Sequence, residues 1–323
     1  MARFYFNPAL RHLAGRSARV DGGLRRVEKG LLRLVWGATS GLGLERASAL
    51  GAALGGLFGP RSRKYRHARE SLMRAFPERD PAWIEARARG VWRQIGRVLA
   101  EYPHIGELAD PMNGRIRFES AVDMDEVRRS PVGWVFLAMH QANWNLPGVA
   151  GALAGFPLDV VYRAQPDPEL EAMVEGYRNL MPCGFIPVDG GPRRIIASLR
   201  QGRGVGLLID HRVDGGEPVP FFGEDAPTAT VPARIALKLG VPVVPVRLER
   251  LPGVRFRLSF DAPLRPERYR GMGEDEAGRR VMADVHARFE DWIRAAPEDW
   301  ACIKRRWPKR GAPAAAAPLQ AAF

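Results

Sequence analysis

The sequence predicts an α/β fold: a mainly parallel sheet flanked by helices, preceded by an N-terminal helical, membrane-contacting region. Three observations predict it. From about residue 115, short apolar runs alternate with helical stretches, the pattern of strands joined by crossover helices. Those runs are continuously apolar, as strands covered on both faces are. Before that point the chain reads as helices around one glycine-rich apolar stretch, with arginine on either side.

The chain has 323 residues, with 49 Lys plus Arg against 36 Asp plus Glu, a formal net charge of +13. Its 46% hydrophobic and 26% charged content excludes a disordered or collagen-like chain. The length buries a sizeable core, as one large α/β domain or two smaller ones. The two cysteines, Cys183 and Cys302, make neither a disulfide framework nor a four-cysteine zinc site. They fit a reducing compartment.

A GC-rich genome also yields many arginines, but here they cluster, in stretches 11–33 and 61–97. Nucleic acid and an anionic membrane are the usual partners of such a surface. The chain has no zinc-finger spacing, basic-zipper heptads or aromatic-interleaved RNA motif, so no nucleic-acid partner is expected. An anionic membrane surface is.

Residues 31–59 read LLRLVWGATSGLGLERASALGAALGGLFG, interrupted by Arg33, Glu45 and Arg46. No 18-residue window is free of charge, which argues against a spanning helix. The seven glycines weaken it as a core helix. A helix or helical hairpin lying on a bilayer fits the pattern; a buried hairpin is the alternative. The apolar stretch starts too late for a signal peptide and shows no cleavage site.

Residues 60–108 are expected to be helical. Leu72, Met73 and Phe76 recur at helical spacing, and Pro77 ends the run. A second helix starts near Asp80, with Pro81 in its first turn. It continues through Trp83, Ile84, Val91, Trp92, Ile95 and Leu99, read as packing residues, until Tyr102-Pro103.

In the body, strands are expected within 133–140, 157–163, 204–212 and 241–250. Helices are expected near 145–155, 167–180, 191–201 and 230–239. The runs end in polar residues: His140, Arg163 and Asp210. Ligands of open α/β sheets bind beyond the carboxyl ends of the strands. These three side chains form one site if their strands are neighbours.

His140 opens the string His-Gln-Ala-Asn-Trp-Asn, residues 140–145. Here the chain resembles the bacterial lipid A biosynthesis acyltransferases, the late lauroyl/myristoyl family. That family carries His, four residues, then Glu or Asp, often with Asn-Trp before the acid. The resemblance continues in VYRAQPDPELEAMVEGYR (161–178), GVGLLIDHR (204–212) and VPFFGEDAPTATVPARIALKLGVPVVPV (219–246). It ends with WIRAAPEDWACIKRRW (292–307) and covers nearly the whole chain. It implies an enzyme at the cytoplasmic face of the bacterial inner membrane, peripheral or monotopic. Such an enzyme moves a fatty acyl group from acyl carrier protein to a hydroxyl of a lipid A precursor and needs no cofactor. Basic surface would speed encounter with the acidic carrier and the phosphorylated acceptor.

Transfer from a thioester to a hydroxyl needs a base, an orienter for that base and a stabiliser for the oxyanion. His140 is the expected base. Arg178 is the first candidate for the oxyanion and Arg163 the second; either guanidinium also suits a phosphate. Asp210 is expected to orient an arginine or the histidine. Arg163, Asn143, Trp144 and Glu224 are assigned to substrate binding. Cys183 is expected to be structural. No metal site is expected, since His211 beside Asp210 lacks further ligands at metal spacing.

The sequence departs from the family at the acid, where Asn145 stands. An asparagine holds a tautomer but supplies no charge, and the same exchange in a serine protease lowered turnover by roughly 10⁴. Three readings follow. Asn145 orients His140 in an altered enzyme; a distant carboxylate, Asp210 or Glu224, takes over; or the protein is a lapsed enzyme that binds lipid. A different polar lipid acceptor is the alternative within catalysis. The expected organisation is a helical part over 1–110, an acyltransferase domain over 111–310 and a disordered tail over 311–323.

Overall fold

The computed structural model describes residues 18–308. The tail expected over 311–323 lies outside the described residues. The N-terminal part is helical: α1 (Ala18–Ser40), α2 (Leu44–Phe58), α3 (Arg63–Ala75), α4 (Pro81–Glu101) and the short α5 (Ile105–Ala109). Local chemistry sets these boundaries. The Ser62 hydroxyl accepts from the Lys64 amide to cap α3, and the Asp80 carboxylate accepts from the Trp83 amide to cap α4, with Pro81 in the first turn.

The glycines of α2 serve packing. A Cβ on Gly51 would stand 2.6 Å from the Ala100 Cβ, and one on Gly55 would stand 3.1 Å from the Gly96 Cα. Glycine lets α2 and α4 approach this closely because it has no side chain to exclude. One face of α2 is therefore buried, with Leu44, Ala47, Ser48, Gly51 and Ala52 inside. Leu50, Leu54, Leu57 and Phe58 stay exposed. Among the described residues, no helix is long and apolar enough to cross a membrane.

From residue 116 strands and helices alternate. They are β1 (Ile116–Ser120), α6 (Met124–Arg129), β2 (Val135–Ala138), α7 (Ala150–Ala154), β3 (Leu158–Tyr162) and α8 (Pro168–Arg178). There follow β4 (Gly184–Pro187), α9 (Gly191–Arg200), β5 (Gly204–Leu208), β6 (Glu217–Phe221), β7 (Glu224–Thr228) and α10 (Val231–Leu239). Last come β8 (Val243–Leu251), β9 (Arg255–Phe260) and α11 (Glu274–Ala295). Seven strands form one sheet in the order β1-β9-β8-β2-β5-β3-β4. All its pairings are parallel except β8 with β9. The fold is the mainly parallel α/β sheet that the sequence predicts. β6 and β7 form a separate antiparallel ribbon.

The central strand β2 is buried along its whole length, which explains its unbroken apolar sequence. β9 instead alternates buried Phe256, Leu258 and Phe260 with more exposed arginines and Ser259, so it lacks that signature. β4 is a four-residue strand holding a glycine and a proline, two residues that depress any strand signal. One buried core runs from Leu72, Ile84 and Val91 of the helices to Leu137, Val205 and Val244 of the sheet. The change from helices to alternating elements near residue 110 is therefore not a break in packing.

Candidate active site

The sheet order places β2, β5 and β3 side by side. Their carboxyl ends deliver His140, Asp210 and Arg163 to one edge, the neighbourhood that the sequence alone left open. The His140 Nδ1 lies 2.7 Å from the Asp210 Oδ1. The His140 amide donates to the same oxygen at 3.0 Å. The Trp300 indole Nε1 donates to the other, Oδ2, at 3.1 Å. A carboxylate only accepts, so Nδ1 carries the ring hydrogen and Nε2 keeps its lone pair.

Asp210 is almost fully buried. Burial works against its charge, but the His140 ring, the His140 amide and His211 more than offset this. Its carboxyl is held far below the usual carboxylate range. The acid beside the imidazole is thus an ionised aspartate from a neighbouring strand.

The loop after β2 is fixed by the C-terminal segment. The Ala142 amide donates to the Asp299 carbonyl at 3.0 Å, and the Ala301 amide donates to the His140 carbonyl at 2.8 Å. Gln141 pairs with Trp300 as an isolated bridge. Ala142 has φ +48° and is completely buried. A left-handed alanine costs about 1–3 kcal/mol and persists only where surrounding contacts over-determine it. Two segments far apart in sequence, His140–Asn145 and Asp299–Ala301, meet to set the position of the imidazole.

His211 stacks on His140 with ring centroids 3.7 Å apart and planes 20° from parallel. Burial, then repulsion from the His140 ring whenever that ring is protonated, keep its pKa well below the ordinary value of 6.5. The Lys304 ammonium stands 3.4 Å from the His211 Nδ1. Lys304 is an exposed residue, yet the protein around its ammonium lowers its pKa; Asp210 opposes that fall and Arg163 adds to it. Donor atoms of His140, Asp210 and His211 lie within 4.8 Å of one another, a spacing that suits a cation. The donor set fits a metal poorly: Nδ1 and Oδ1 already satisfy each other, and an ammonium occupies the free side of His211.

The other expected site residues lie elsewhere. Asn145 does not orient His140: its Nδ2 donates to the Asn143 Oδ1 at 3.1 Å, and the Asn143 Nδ2 donates to the buried Glu101 at 2.9 Å. Trp144 flanks the site with its ring 5.8 Å from the His140 ring. Arg178 ends α8, stacks 3.9 Å from the Tyr162 ring centroid and donates to Glu171 at 3.0 Å. Those contacts hold its guanidinium against α8 and β3, and no described contact joins it to His140. Glu224 opens β7 and faces Arg74 at 3.6 Å, so Asp210 and not Glu224 is the carboxylate at the imidazole. Cys183 is half-buried, and burial pushes its thiol up to about 12, where it is neutral and inert.

Sequence reasoning missed Trp300, Lys304 and Glu101. Trp300 and Lys304 lie in the C-terminal segment that carries the family likeness, which marked the segment without giving their contacts. Glu101 carried no signal beyond an acid at a helix end.

A groove of about 670 Å³ lies between α3 and residues 305–308. Arg66, Arg74, Arg79 and Arg305 line it over Phe76 and Trp307, with Glu70 as its one lining carboxylate. Arg66, Arg74 and Arg305 stand 3.6, 3.6 and 3.8 Å from their carboxylate partners. These are loose pairs beside the 2.7 Å contact of Arg265 with Glu126.

An α/β sheet that holds a histidine against a buried carboxylate at one strand edge, with a lysine beside it, has the parts that general-base chemistry uses. The chain belongs to the bacterial lipid A biosynthesis acyltransferase family, whose model matches residues 28–309. It is 27% identical over 224 residues to the phosphatidylinositol mannoside acyltransferase of Mycolicibacterium smegmatis, covering 67% of this chain and 68% of that one. It is 25% identical over 193 residues to the protein of the same name from Mycobacterium tuberculosis, covering 57% of each. Among solved structures it matches the 1-acyl-sn-glycerophosphate acyltransferase of Thermotoga maritima with a TM-score of 0.36 and 18% identity, over 78% of this chain and 96% of that one. Family and sequence relatives agree on the coarse activity: the protein is an enzyme that acylates lipids.

Proposed function

We propose that the enzyme transfers a fatty acyl group from a thioester on acyl carrier protein to a sugar hydroxyl of a phosphorylated glycolipid. A lipid A precursor is the first candidate acceptor. The observation that carries the reading is the His140–Asp210 contact at 2.7 Å. His140 Nε2 takes the proton of the acceptor hydroxyl as its oxygen attacks the thioester carbonyl. The tetrahedral intermediate collapses, the C–S bond breaks, and the imidazolium returns the proton to the leaving sulfur. Asp210 holds the tautomer and stabilises the imidazolium, as the triad aspartate of serine proteases does. Lys304, whose ammonium stands 3.4 Å from the His211 Nδ1, and Arg163 are assigned to a phosphate or the oxyanion. Arg178, buried on Tyr162 and committed to Glu171, is left to hold α8 against β3.

The relatives' names favour a second acceptor. Both are phosphatidylinositol mannoside acyltransferases, so a mannosylated phospholipid stands beside the lipid A precursor. The donor assignment is supported by the arginine groove, which complements an acidic carrier. Contact with a membrane surface, which the proposal places at the cytoplasmic face of a bacterial inner membrane, is supported by exposed Leu50, Leu54, Leu57 and Phe58. Exposed Arg46, Arg61 and Arg63 flank them in sequence, each worth roughly 1 kcal/mol at an anionic surface.

The test is an acyl-transfer assay with purified protein, acyl carrier protein or coenzyme A as donor, and each acceptor in anionic vesicles. Wild type is expected to transfer and His140→Ala to be silent. Arg66→Glu with Arg79→Glu is expected to raise KM for the carrier-borne donor and leave the coenzyme A thioester unaffected. Equal activity of His140→Ala and wild type would refute the base. Silence of wild type with every acceptor, alongside retained lipid binding, would leave a lapsed lipid-binding homologue.

A further inference from the structure

We propose that Glu101 is a positioning residue for the His140 loop and that it requires a hydrogen-bond donor, here an asparagine, at position 145. The inference rests on the reading of His140 as base.

Glu101 ends α4 and is completely buried. Four donors converge on its two oxygens. Arg250 of β8 binds both, at 2.8 and 2.9 Å. The Ser48 hydroxyl of α2 donates at 2.6 Å, and the Asn143 Nδ2 donates at 2.9 Å. Arg97 in turn donates to the Ser48 hydroxyl at 3.1 Å. A carboxylate gripped by a two-pronged guanidinium is ionised and only accepts.

That fixes the Asn143 amide. Its Nδ2 must face Glu101, so its Oδ1 faces away and needs a donor. Asn145 supplies one from Nδ2 at 3.1 Å, and its backbone amide stands 3.4 Å from the same oxygen. The polarity of the chain, Asn145 to Asn143 to Glu101, is set from the buried end. An Asp or Glu at 145 would set a second acceptor against the Asn143 oxygen. The asparagine at the place of the family's acid is therefore the residue that this network demands. The carboxylate of this relay stands at its far end, at Glu101.

The consequence is positional. Asn143 and Asn145 share a short loop with His140, and the relay ties that loop to α2, α4 and β8 at once. A misplacement of about 1 Å in a catalytic group costs on the order of 10²-fold in rate.

The experiment compares wild type, Asn145→Asp, Glu101→Gln and the double variant, reading kcat, KM and melting temperature. Asn145→Asp is expected to lower kcat by about 10- to 100-fold with both KM values within about twofold. It is expected to lower the melting temperature by about 3–6 °C. In the double variant the new carboxamide at position 101 keeps its oxygen toward Ser48 and the first Arg250 prong, gives up the second prong, and turns its NH₂ to the Asn143 oxygen. The Asn143 amide turns, and its Nδ2 serves the new carboxylate at position 145. That variant is expected to recover at least tenfold in kcat over Asn145→Asp, a coupling that independent sites do not show. Asn145→Asp matching or exceeding wild type would overturn the proposal, and so would strict additivity in a folded double variant. If the double variant does not fold, Asn145→Asp decides, since it leaves the Glu101–Arg250 pair intact. A wild type without transfer activity would remove the base reading but not the relay, which the melting temperatures still report.

Discussion

His140 and Asp210 stand 70 residues apart in the chain, and their Nδ1 and Oδ1 atoms meet at 2.7 Å. Neighbouring parallel strands bring them together: β2 and β5 pair from Val135 with Val205 to Ala138 with Leu208. The register puts the residues after both strands on one edge. The imidazole therefore finds its acid across the sheet and not along its own loop.

Asp210→Asn is the direct check. The carboxamide can turn its NH₂ toward the ring and select the tautomer that leaves Nε2 protonated. On the serine-protease precedent kcat is expected to fall by roughly 10³–10⁴, with acceptor KM little changed. Steady-state kinetics with a single donor decides it, and a loss below tenfold would place the acid elsewhere.

The exposed apolar residues of α2 are expected to hold the protein on lipid. Leu57 and Phe58 are 56% and 58% exposed, so replacing them costs the fold little. Leu57→Glu with Phe58→Glu is expected to abolish cosedimentation with anionic vesicles and leave the melting temperature within about 1 °C. Wild-type-like sedimentation would assign membrane contact to another face.

The α2–α4 crossing should tolerate no side chain at its glycines. A Cβ on Gly96 would approach the Gly55 Cα to 3.0 Å and press still closer on the Gly51 backbone. Gly96→Leu is expected to cost about 2 kcal/mol or more, by overpacking. Urea unfolding measures it. The same change at Gly30, where a Cβ meets nothing within 4 Å, is expected to cost less than about 1 kcal/mol.

His286 should govern part of the acid limb of stability. Its Nδ1 lies 2.8 Å from the Pro220 carbonyl, and its Nε2 accepts from Arg306 at 3.1 Å. Burial, reinforced by the Arg306 charge, lowers its pKa from 6.5 to about 3. Between those values the unfolded chain binds the proton and the folded chain does not. Stability is therefore present above pH 6.5 and is lost as pH falls toward 3, with a slope approaching about 1.4 kcal/mol per unit. His286→Gln is expected to flatten that limb in unfolding measurements between about pH 4 and 7, and an unchanged slope would remove His286 from the account.

Much of this was legible before any coordinates. Unbroken apolar runs marked β2, β3, β5 and β8, because strands covered on both faces have no solvent side to signal. The capping Asp80 and Pro81 marked the start of α4. β1, β4, β6, β7 and β9 were missed: β4 holds a glycine and a proline, and β9 shows only an alternating pattern in short compass. The glycines of α2 were legible as glycines, but their purpose needed the partner helix.

By itself the sequence determined the fold class, the family and the three polar residues closing three strands. These follow from local pattern: hydrophobic runs, caps, and residue types in order. Only the tertiary structure decided which acid serves His140, and that Asn145 faces Asn143 and not the imidazole. The physical reason is that hydrogen bonds are made over about 3 Å in space, while strand order, which sets who stands that close, comes from packing between segments far apart in the chain.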